Sequence, residues 1–217
     1  MDYYQPLLPD SFYHVYNRGN NRENIFYRAG NAAYFLEKYT KYMIPVLDTY
    51  TYCLLPNHFH LLVRTRSVAE LLDLPGFQNL EGLVARRNEK AINEYIGNLI
   101  SDQFRLLFMS YAKAINKQEG RVGSLFQKNF KRLRVESVPH LVTIVQYIHA
   151  NPQLHGLCGD FRDWADSSYS AMVSESPTKL KRPEVLEWFG NRDELIHRHR
   201  EYMDWKTSKQ WLIEDEE

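Results

Sequence analysis

The chain has 217 residues, 44% of them apolar and 14% aromatic, and its 27 basic residues balance its 27 acidic residues. This length and composition predict one compact globular domain with a modest appendage. Cys53 and Cys158 cannot build a disulfide framework and form no C-x-x-C pair, which excludes a thiol-built zinc site and favours a reducing, cytoplasmic location. The longest stretch without charged residues contains two prolines and three histidines, so we expect no membrane span.

The neutral total hides an uneven distribution of charge. Between Arg105 and Arg134 eight basic residues stand against one acidic residue, whereas Glu184 to Glu217 carries ten acidic and five basic residues. Overall neutrality disfavours a protein that coats nucleic acid through bulk electrostatics. The local asymmetry indicates a polyanion partner for the basic segment.

The first third of the chain predicts a strand, a helix and a hairpin. Phe12 to Tyr16 is aromatic and β-branched and precedes a turn-forming run, which is typical of a strand. Apolar residues then recur at three- and four-residue steps from Ala32 to Met43, which predicts an amphipathic helix. Val46 to Leu55 and His58 to Val63, separated by a Pro-Asn turn, predict the two strands of a hairpin.

The next third begins with a weak pattern. Ser67 to Asn98 has mixed polarity, and we predict an inserted excursion with one or two short helices, which could be a recognition or dimer element. A second clear helix is predicted to begin at Ser101, its N-cap, and to end at the glycines 120 and 123. Phe130 to Val135 predicts a fourth strand, and Ser137 with Pro139 opens a third helix that Pro152 should stop.

The order β-α-β-β-α-β followed by a helix predicts an α+β fold, a ferredoxin-like antiparallel sheet with helices on one face. We predict a domain over residues 1–157, with a helical insertion at 67–100. Residues 158–217 are expected to form a helical C-terminal extension, whose last four residues are all acidic. That acidic tail could shield the basic segment from nonspecific polyanions or simply be disordered.

Two histidines stand out in the second hairpin strand. His58 and His60 are two residues apart, so both imidazoles leave the same face and can converge on one divalent ion. The alternative is a pair of half-exposed histidines in an edge strand. Their position inside an otherwise apolar run favours the functional interpretation, because buried imidazoles cost stability unless they have partners.

The third helix supplies complementary groups. Helical geometry puts His140, Tyr147 and Asn151 on one flank of its apolar stripe, and His149 on another side. Tyr147 could equally be a packing residue with its hydroxyl at the rim. Asn151 precedes a proline and is therefore biased away from helical geometry, so we hold His140 as a reserve metal ligand.

Four blocks occur in one order along the chain: Tyr13–Gly19 (YHVYNRG), Leu55–Val63 (LPNHFHLLV), Gly123–Gln127 (GSLFQ) and Gln146–Pro152 (QYIHANP). Together they resemble the REP-associated tyrosine transposases, which are single-tyrosine HUH nucleases of the IS200-like group. Trp164 with Ser167-Ser168-Tyr169 looks like a further block of that family. The longer excursion at 67–98 and the acidic end depart from the family pattern.

The resemblance implies a metal-dependent endonuclease and strand transferase that acts on single-stranded, hairpin-bearing, REP-like DNA. It implies that Tyr147 attacks a scissile phosphate and leaves a 5′-phosphotyrosine with a free 3′-hydroxyl. His58, His60 and Asn151 would hold Mg²⁺ or Mn²⁺. The location it implies is cytoplasmic, on the nucleoid when DNA is bound.

Seven basic residues are predicted to contact DNA phosphates: Arg18, Arg22, Arg121, Lys128, Lys131, Arg132 and Arg134. Each alone could belong to a solvated basic face. Two other functions stay open, namely a hairpin-DNA-binding protein without productive cleavage and a metallohydrolase of small substrates. The second has few carboxylate or imidazole ligands to draw on. The spacing also leaves monomer and homodimer open.

Overall fold

The computed structural model describes residues 4–74 and 88–208. Its sheet has four strands in the order β2-β3-β1-β4, all neighbours antiparallel. The strands are β1 (Phe12–Arg18), β2 (Leu47–Leu55), β3 (His58–Thr65) and β4 (Lys131–Val135). This is the strand order of a ferredoxin-like unit, so the predicted fold class is confirmed.

Two helices, α1 (Asn31–Met43) and α3 (Glu89–Glu119), pack on one face of the sheet. They bury the side chains of β1 and β3 that alternate toward them, such as Val15 and Phe59. Phe35 of α1 and Tyr111 of α3 meet edge to face, with ring centroids 5.2 Å apart. This face is the larger apolar core and fixes the sheet as a rigid platform.

The opposite face of the sheet is covered by α4 (Val138–Leu154) together with the helices that follow it. These later helices are α5 (Tyr169–Val173), α6 (Arg182–Phe189) and α7 (Arg192–Ser208). Val145 and Ile148 of α4 share a buried core with Leu62 of β3 and Leu195 of α7. The two helices inside the β-α-β-β-α-β unit therefore lie on one face as predicted, and the later helices form a third layer.

The predicted start of the second helix at Ser101 is wrong. Helix α3 begins at Glu89, and Asn88 is its N-cap, with the Asn88 side-chain oxygen accepting a 3.0 Å hydrogen bond from the backbone N–H of Ala91. Ser101 lies inside the helix because Ile96 and Ile100 extend the buried stripe by another turn and a half upstream. Gly120 ends the helix as predicted, with a positive φ of 63°.

The excursion after β3 does contain a short helix, α2 (Val68–Leu72). Ser67 and Glu70 form a capping box at its start, with each side chain bonded to the other residue's backbone N–H. The part of the predicted insertion at 75–87 lies outside the described residues. Within the described residues, no helix combines the length and apolarity that crossing a bilayer requires.

The prediction that Pro152 stops α4 is also wrong. The helix continues to Leu154, and Asn151 keeps helical geometry with its carbonyl accepting a 3.0 Å bond from the backbone N–H of His155. Proline removes one backbone N–H from the helix, which costs at most one helical hydrogen bond this close to the helix end. Burial of the surrounding turn stabilises the helix by more than this loss. Asn151 and Pro152 are both buried, which holds the Asn151 side chain against the sheet.

Candidate metal and nucleophile site

Strand β3 carries the two histidines toward α4. His58 and His60 are only 7% and 5% exposed, and their ring centroids lie 5.1 Å apart. Strand β1 pairs with β3 so that Tyr16 stands directly opposite His60. The alternation of β1 then places His14 and Tyr16 on the same face as the two histidines.

Helix α4 brings the other predicted groups to the same place. The Tyr147 ring meets the His60 ring edge to face at 5.4 Å between centroids. The side-chain Oδ1 of Asn151 lies 3.3 Å from Nε2 of His58. The predicted nucleophile and the three predicted metal ligands therefore converge. The reserve ligand His140 is exposed in the first turn of α4, two turns before Tyr147.

The hydrogen bonds around His58 fix the orientation of its ring. Asn57 donates through Nδ2 to the backbone carbonyl of Arg22 at 3.3 Å, so its Oδ1 is the atom that faces His58 Nδ1, at 2.6 Å. An amide oxygen only accepts, and His58 Nδ1 must therefore carry the hydrogen. Nε2 of His58 is then the nitrogen that faces Oδ1 of Asn151.

That arrangement suits a cation. Two neighbouring ligands at about 2.1 Å from a six-coordinate ion are about 3.0 Å apart, close to the 3.3 Å between His58 Nε2 and Asn151 Oδ1. The Nδ2 of Asn151 is buried without a hydrogen-bond partner. Among the described residues, no three His, Cys, Asp or Glu side chains are grouped to hold a metal ion. A metal here would therefore use the Asn151 amide oxygen with two imidazoles and keep positions open for substrate.

His14 was missed in the sequence and directly contacts a predicted ligand. Its Nε2 lies 3.0 Å from Nδ1 of His60, so one ring donates and the other accepts. Burial, and to a smaller extent the charge of His140, lowers the pKa of His14 to about 3. Burial, followed by the charges of His14 and His58, holds the pKa of His60 well below its usual range. Both rings are therefore neutral at neutral pH, the form in which imidazole binds metal.

The orientation of this pair decides whether His60 can bind a cation. If Nδ1 of His60 donates to His14, the Nε2 of His60 keeps its lone pair for a metal. If His14 donates instead, Nε2 of His60 carries the hydrogen and has no lone pair for a metal. A bound cation would select the first arrangement. Side chains two residues apart in a strand face the same side of the sheet. This alternation along β1 is the feature of the sequence that could have identified His14 and Tyr16 as site residues.

Two further aromatic groups close around the site. Tyr16 stacks on His60 at 5.5 Å and on His14 at 5.0 Å between centroids. His155 lies 5.1 Å from His58, ring to ring. His155 is one helical turn beyond Asn151, and this spacing of four residues could have identified His155 in the sequence. The predicted groups thus lie in an aromatic and imidazole-rich pocket rather than in open solvent.

The predicted DNA contacts are divided among different surfaces. Arg18 lies opposite His58 in the β1–β3 pair and contributes to lowering the pKa of His60. Lys131 holds its ammonium 5.8 Å from the centre of the Tyr16 ring. These two basic side chains adjoin the site.

The other predicted contacts lie elsewhere. Arg132 turns to the opposite face, where it bonds the backbone carbonyls of Tyr4 and Gln5. Arg121 forms an ion pair with Glu23, and Arg134 lies 3.6 Å from a carboxylate oxygen of Glu136. Arg22 and Lys128 are exposed.

A second histidine pair lies on another side of α4, where the sequence had placed His149. Nδ1 of His149 is 2.9 Å from Nε2 of His199 in α7, and both rings are buried. Nε2 of His149 lies 2.7 Å from the Thr51 hydroxyl and 2.9 Å from the Ser168 hydroxyl. This network ties the helix that carries Tyr147 to β2 and to the C-terminal helices.

Comparisons with known proteins add one solved structure. The chain is similar to a REP-associated tyrosine transposase bound to a REP hairpin, with 15% identity and a TM-score of 0.49 over 80% of this chain and 86% of that chain. No family model matches the sequence. No curated protein matches it either. The interpretation of the site therefore rests on its side-chain geometry.

Proposed function

We propose that the chain is a metal-dependent single-stranded DNA endonuclease and strand transferase that forms a 5′-phosphotyrosine at hairpin-bearing DNA. The observation that carries the proposal is the convergence of one tyrosine with two imidazoles and an amide oxygen. Tyr147 lies 5.4 Å from His60 between ring centroids, and Asn151 lies 3.3 Å from His58. A phenol beside such a donor set suits attack on a phosphate.

The reaction exchanges one phosphodiester bond for another. The phenol oxygen of Tyr147 forms a bond to phosphorus as the bond from phosphorus to the 3′ oxygen breaks. The phenol loses its proton, and the departing 3′ oxygen ends as a hydroxyl. No water and no nucleotide triphosphate is consumed, so a second 3′-hydroxyl can reverse the step and join a different strand.

The residues of the chain position these groups. His58, His60 and Asn151 would hold Mg²⁺ or Mn²⁺, which when bound supplies Lewis-acid polarisation of the phosphate oxygens. A free phenol with a pKa near 10 is ionised in only about one molecule in a thousand at neutral pH. Tyr147 is half-buried, and the His14 and His60 rings that contact it exclude part of the water that would compete for the phosphorus. Arg18 and Lys131, which adjoin the site, would contact the substrate phosphates.

A covalent-trapping experiment tests the proposal. The protein is incubated with 5′- or 3′-labelled hairpin oligonucleotides from its own genomic flanks, in Mn²⁺ or EDTA, and resolved on a denaturing protein gel. We expect a Mn²⁺-dependent adduct that Tyr147→Phe abolishes, while oligonucleotide binding stays within about twofold. Tyr95→Phe, an exposed tyrosine on α3, is the matched control and should form adduct normally.

Two results would contradict the proposal. Binding without adduct across several flanking sequences would indicate a hairpin-DNA-binding protein without productive cleavage. An adduct that survives in Tyr147→Phe would assign the nucleophile to another residue. If Tyr147→Phe loses both binding and adduct, circular dichroism shows whether the variant is folded. A folded variant that no longer binds DNA would contradict the proposal that Tyr147 acts only as the nucleophile.

A further inference from the structure

A groove of about 950 Å³ lies between α3 and the segment that leads into β4. It is separate from the metal and nucleophile site, on the α3 side of the sheet. Its walls come from two stretches, residues 101–113 of α3 and residues 123–132 after it, with Tyr4 and Asn17 at its margins. Nothing in the proposed chemistry at Tyr147 uses this groove.

The floor of the groove is aromatic and apolar. The ring of Phe108 lies 4.8 Å from Phe126 and 5.8 Å from Phe130, between centroids. Met109 follows Phe108 and leaves 57% of its surface exposed. Such a floor accepts a flat, apolar group by stacking and sulfur contact.

The rim of the groove is basic. Arg105, Lys113, Lys128 and Arg132 line it, against one acidic side chain, Asp102. Asp102 is already engaged with Arg105 at 3.0 Å. Within the part of the chain that the structure describes, Lys113 and Lys128 have no acidic partner, and both are exposed. The rim therefore favours an anion, and the floor below it favours a flat group. A nucleotide combines the two, as a phosphate and a base.

The groove and the site meet at the edge of the sheet. Asn17 lines the groove, whereas the next residue of β1, Arg18, acts on His60 from the other face. The same alternation occurs on the edge strand β4, where Lys131 lies over Tyr16 and Arg132 turns into the groove. A strand held at the site could pass around this edge without crossing the protein core.

We propose that the groove binds unpaired nucleotides of the same DNA strand whose phosphate is held beside Tyr147. Lys113 and Lys128 contact the backbone phosphates, and one base lies on the floor formed by Phe108 and Met109. Basic grooves with aromatic floors are the general means of holding single-stranded nucleic acid. This inference rests on the proposed function, because it takes the ligand of the groove to be the substrate strand of the site.

Removal of two lysine charges tests the rim. Binding of a fluorescein-labelled single-stranded oligonucleotide is followed by anisotropy at several salt concentrations, without added metal. We expect Lys113→Gln with Lys128→Gln to weaken binding by about tenfold and to reduce the salt slope by about 1.4, the value for two single-strand phosphate contacts. The control is Lys90→Gln with Lys117→Gln, both exposed on α3 outside the groove, and it should change affinity by less than about twofold.

Abasic substitutions test the floor. Single abasic positions are scanned along the oligonucleotide, and we expect one or two of them to weaken wild-type binding by about fivefold, as loss of one stacked base does. In Met109→Ser the same abasic positions should cost less. Met109 is mostly exposed, so this variant leaves the core intact.

The outcomes separate the groove from the proposed function. Equal affinities and salt slopes in the groove pair and the control pair, with normal wild-type binding and adduct, would overturn the groove and leave the nuclease standing. A wild-type protein that binds no single-stranded DNA would overturn both. An abasic scan without any sensitive position would overturn the stacking floor.

Discussion

Two pairs of hydrogen-bonded histidines lie on either side of the helix that carries Tyr147, and they differ in how completely they are satisfied. His14 and His60 are 3.0 Å apart on the sheet side, and His149 and His199 are 2.9 Å apart on the side of the C-terminal helices. All four rings are buried. Similar distances and burial thus occur in two chemically different settings.

The His149 pair is closed. Nδ1 of His199 donates to the backbone carbonyl of Leu195 at 2.7 Å, so its Nε2 accepts from His149. Nε2 of His149 then accepts from a hydroxyl of Thr51 or Ser168. Each ring nitrogen has a partner, and the network has no atom left for a ligand. Its role is to hold α4 in place.

The His14 pair belongs to an open network. Nε2 of His58 lies 3.3 Å from Oδ1 of Asn151, and Nδ2 of Asn151 has no hydrogen-bond partner among the described residues. Buried polar atoms left in this state cost stability, which a ligand can restore. The comparison teaches that incomplete hydrogen bonding, rather than histidine content, distinguishes the candidate site.

Removing a ligand from the open network should give the largest functional loss at little structural cost. We expect His58→Ala to lower Mn²⁺ affinity by at least about a hundredfold and to abolish the adduct, because a metal ligand is lost. The free energy of unfolding should stay within about 1 kcal/mol of wild type, because the Asn151 amide that His58 contacts is already incompletely hydrogen-bonded. Titration calorimetry and urea unfolding measure the two quantities.

His197→Ala is the control for that variant, since His197 is 63% exposed on α7. It should change neither quantity. Unaltered Mn²⁺ affinity in His58→Ala would remove His58 from the metal site.

Breaking the closed network should reverse the pattern. His149→Phe leaves Nε2 of His199 without its partner, whereas the Thr51 and Ser168 hydroxyls still bond each other at 2.7 Å. A buried unsatisfied group costs about 1 to 3 kcal/mol. We expect the free energy of unfolding to fall by about 3 kcal/mol in urea titrations. His140→Phe, exposed on the same helix, should change it by less than about 0.5 kcal/mol. Equal effects of the two variants would show that the His149 network does not stabilise α4.

A change at His14 sharpens the comparison inside the open network. His14→Leu removes the acceptor for Nδ1 of His60, and we expect Mn²⁺ affinity to fall by about tenfold to a hundredfold. In His14→Gln the amide of the new side chain extends about as far as Nε2 of the His14 ring and can still accept from Nδ1 of His60. This variant should therefore recover most of the Mn²⁺ affinity. The tautomer of His60 can be read directly from imidazole ¹⁵N shifts. Equal affinities in both variants and wild type would show that His14 only packs.

The pH dependence of stability gives the smallest expected effect. Burial lowers the pKa of His199 to about 4, below the value near 6.5 of an exposed histidine. A histidine with a lowered folded-state pKa stabilises the fold above pH 6.5, and this contribution is lost as the pH falls toward 4. We expect His199 to contribute up to about 1.4 kcal/mol per pH unit to the slope in this window. His199→Phe should flatten the slope in urea titrations, and an unchanged slope would contradict the assignment.

The fold could be predicted because its elements are strongly patterned. The alternation of β1 to β3 and the periodicity of α1 place their apolar faces without knowledge of the rest. The start of α3 was missed because half of Glu89 to Asn98 is polar, and Ile96 and Gly97 are its only buried residues. The end of α4 was missed because local proline chemistry was outweighed by burial of the last turn.

The site could be predicted only in part. His58, His60, Tyr147 and Asn151 carry local spacing signals, and the structure places them together. His14 enters through the register between β1 and β3, which spacing within one strand does not specify. His149 depends on His199, which is fifty residues away in the chain. Contacts between distant segments decide which histidine network is open and which is closed.

The most direct test of the account is to locate the covalent bond. After incubation with a hairpin oligonucleotide and Mn²⁺, the protein is digested with nuclease and trypsin and analysed by mass spectrometry. The account predicts a nucleotide phosphate on the peptide that contains Tyr147, absent in EDTA. A phosphate on another residue, or none although Mn²⁺ and DNA both bind, would contradict it.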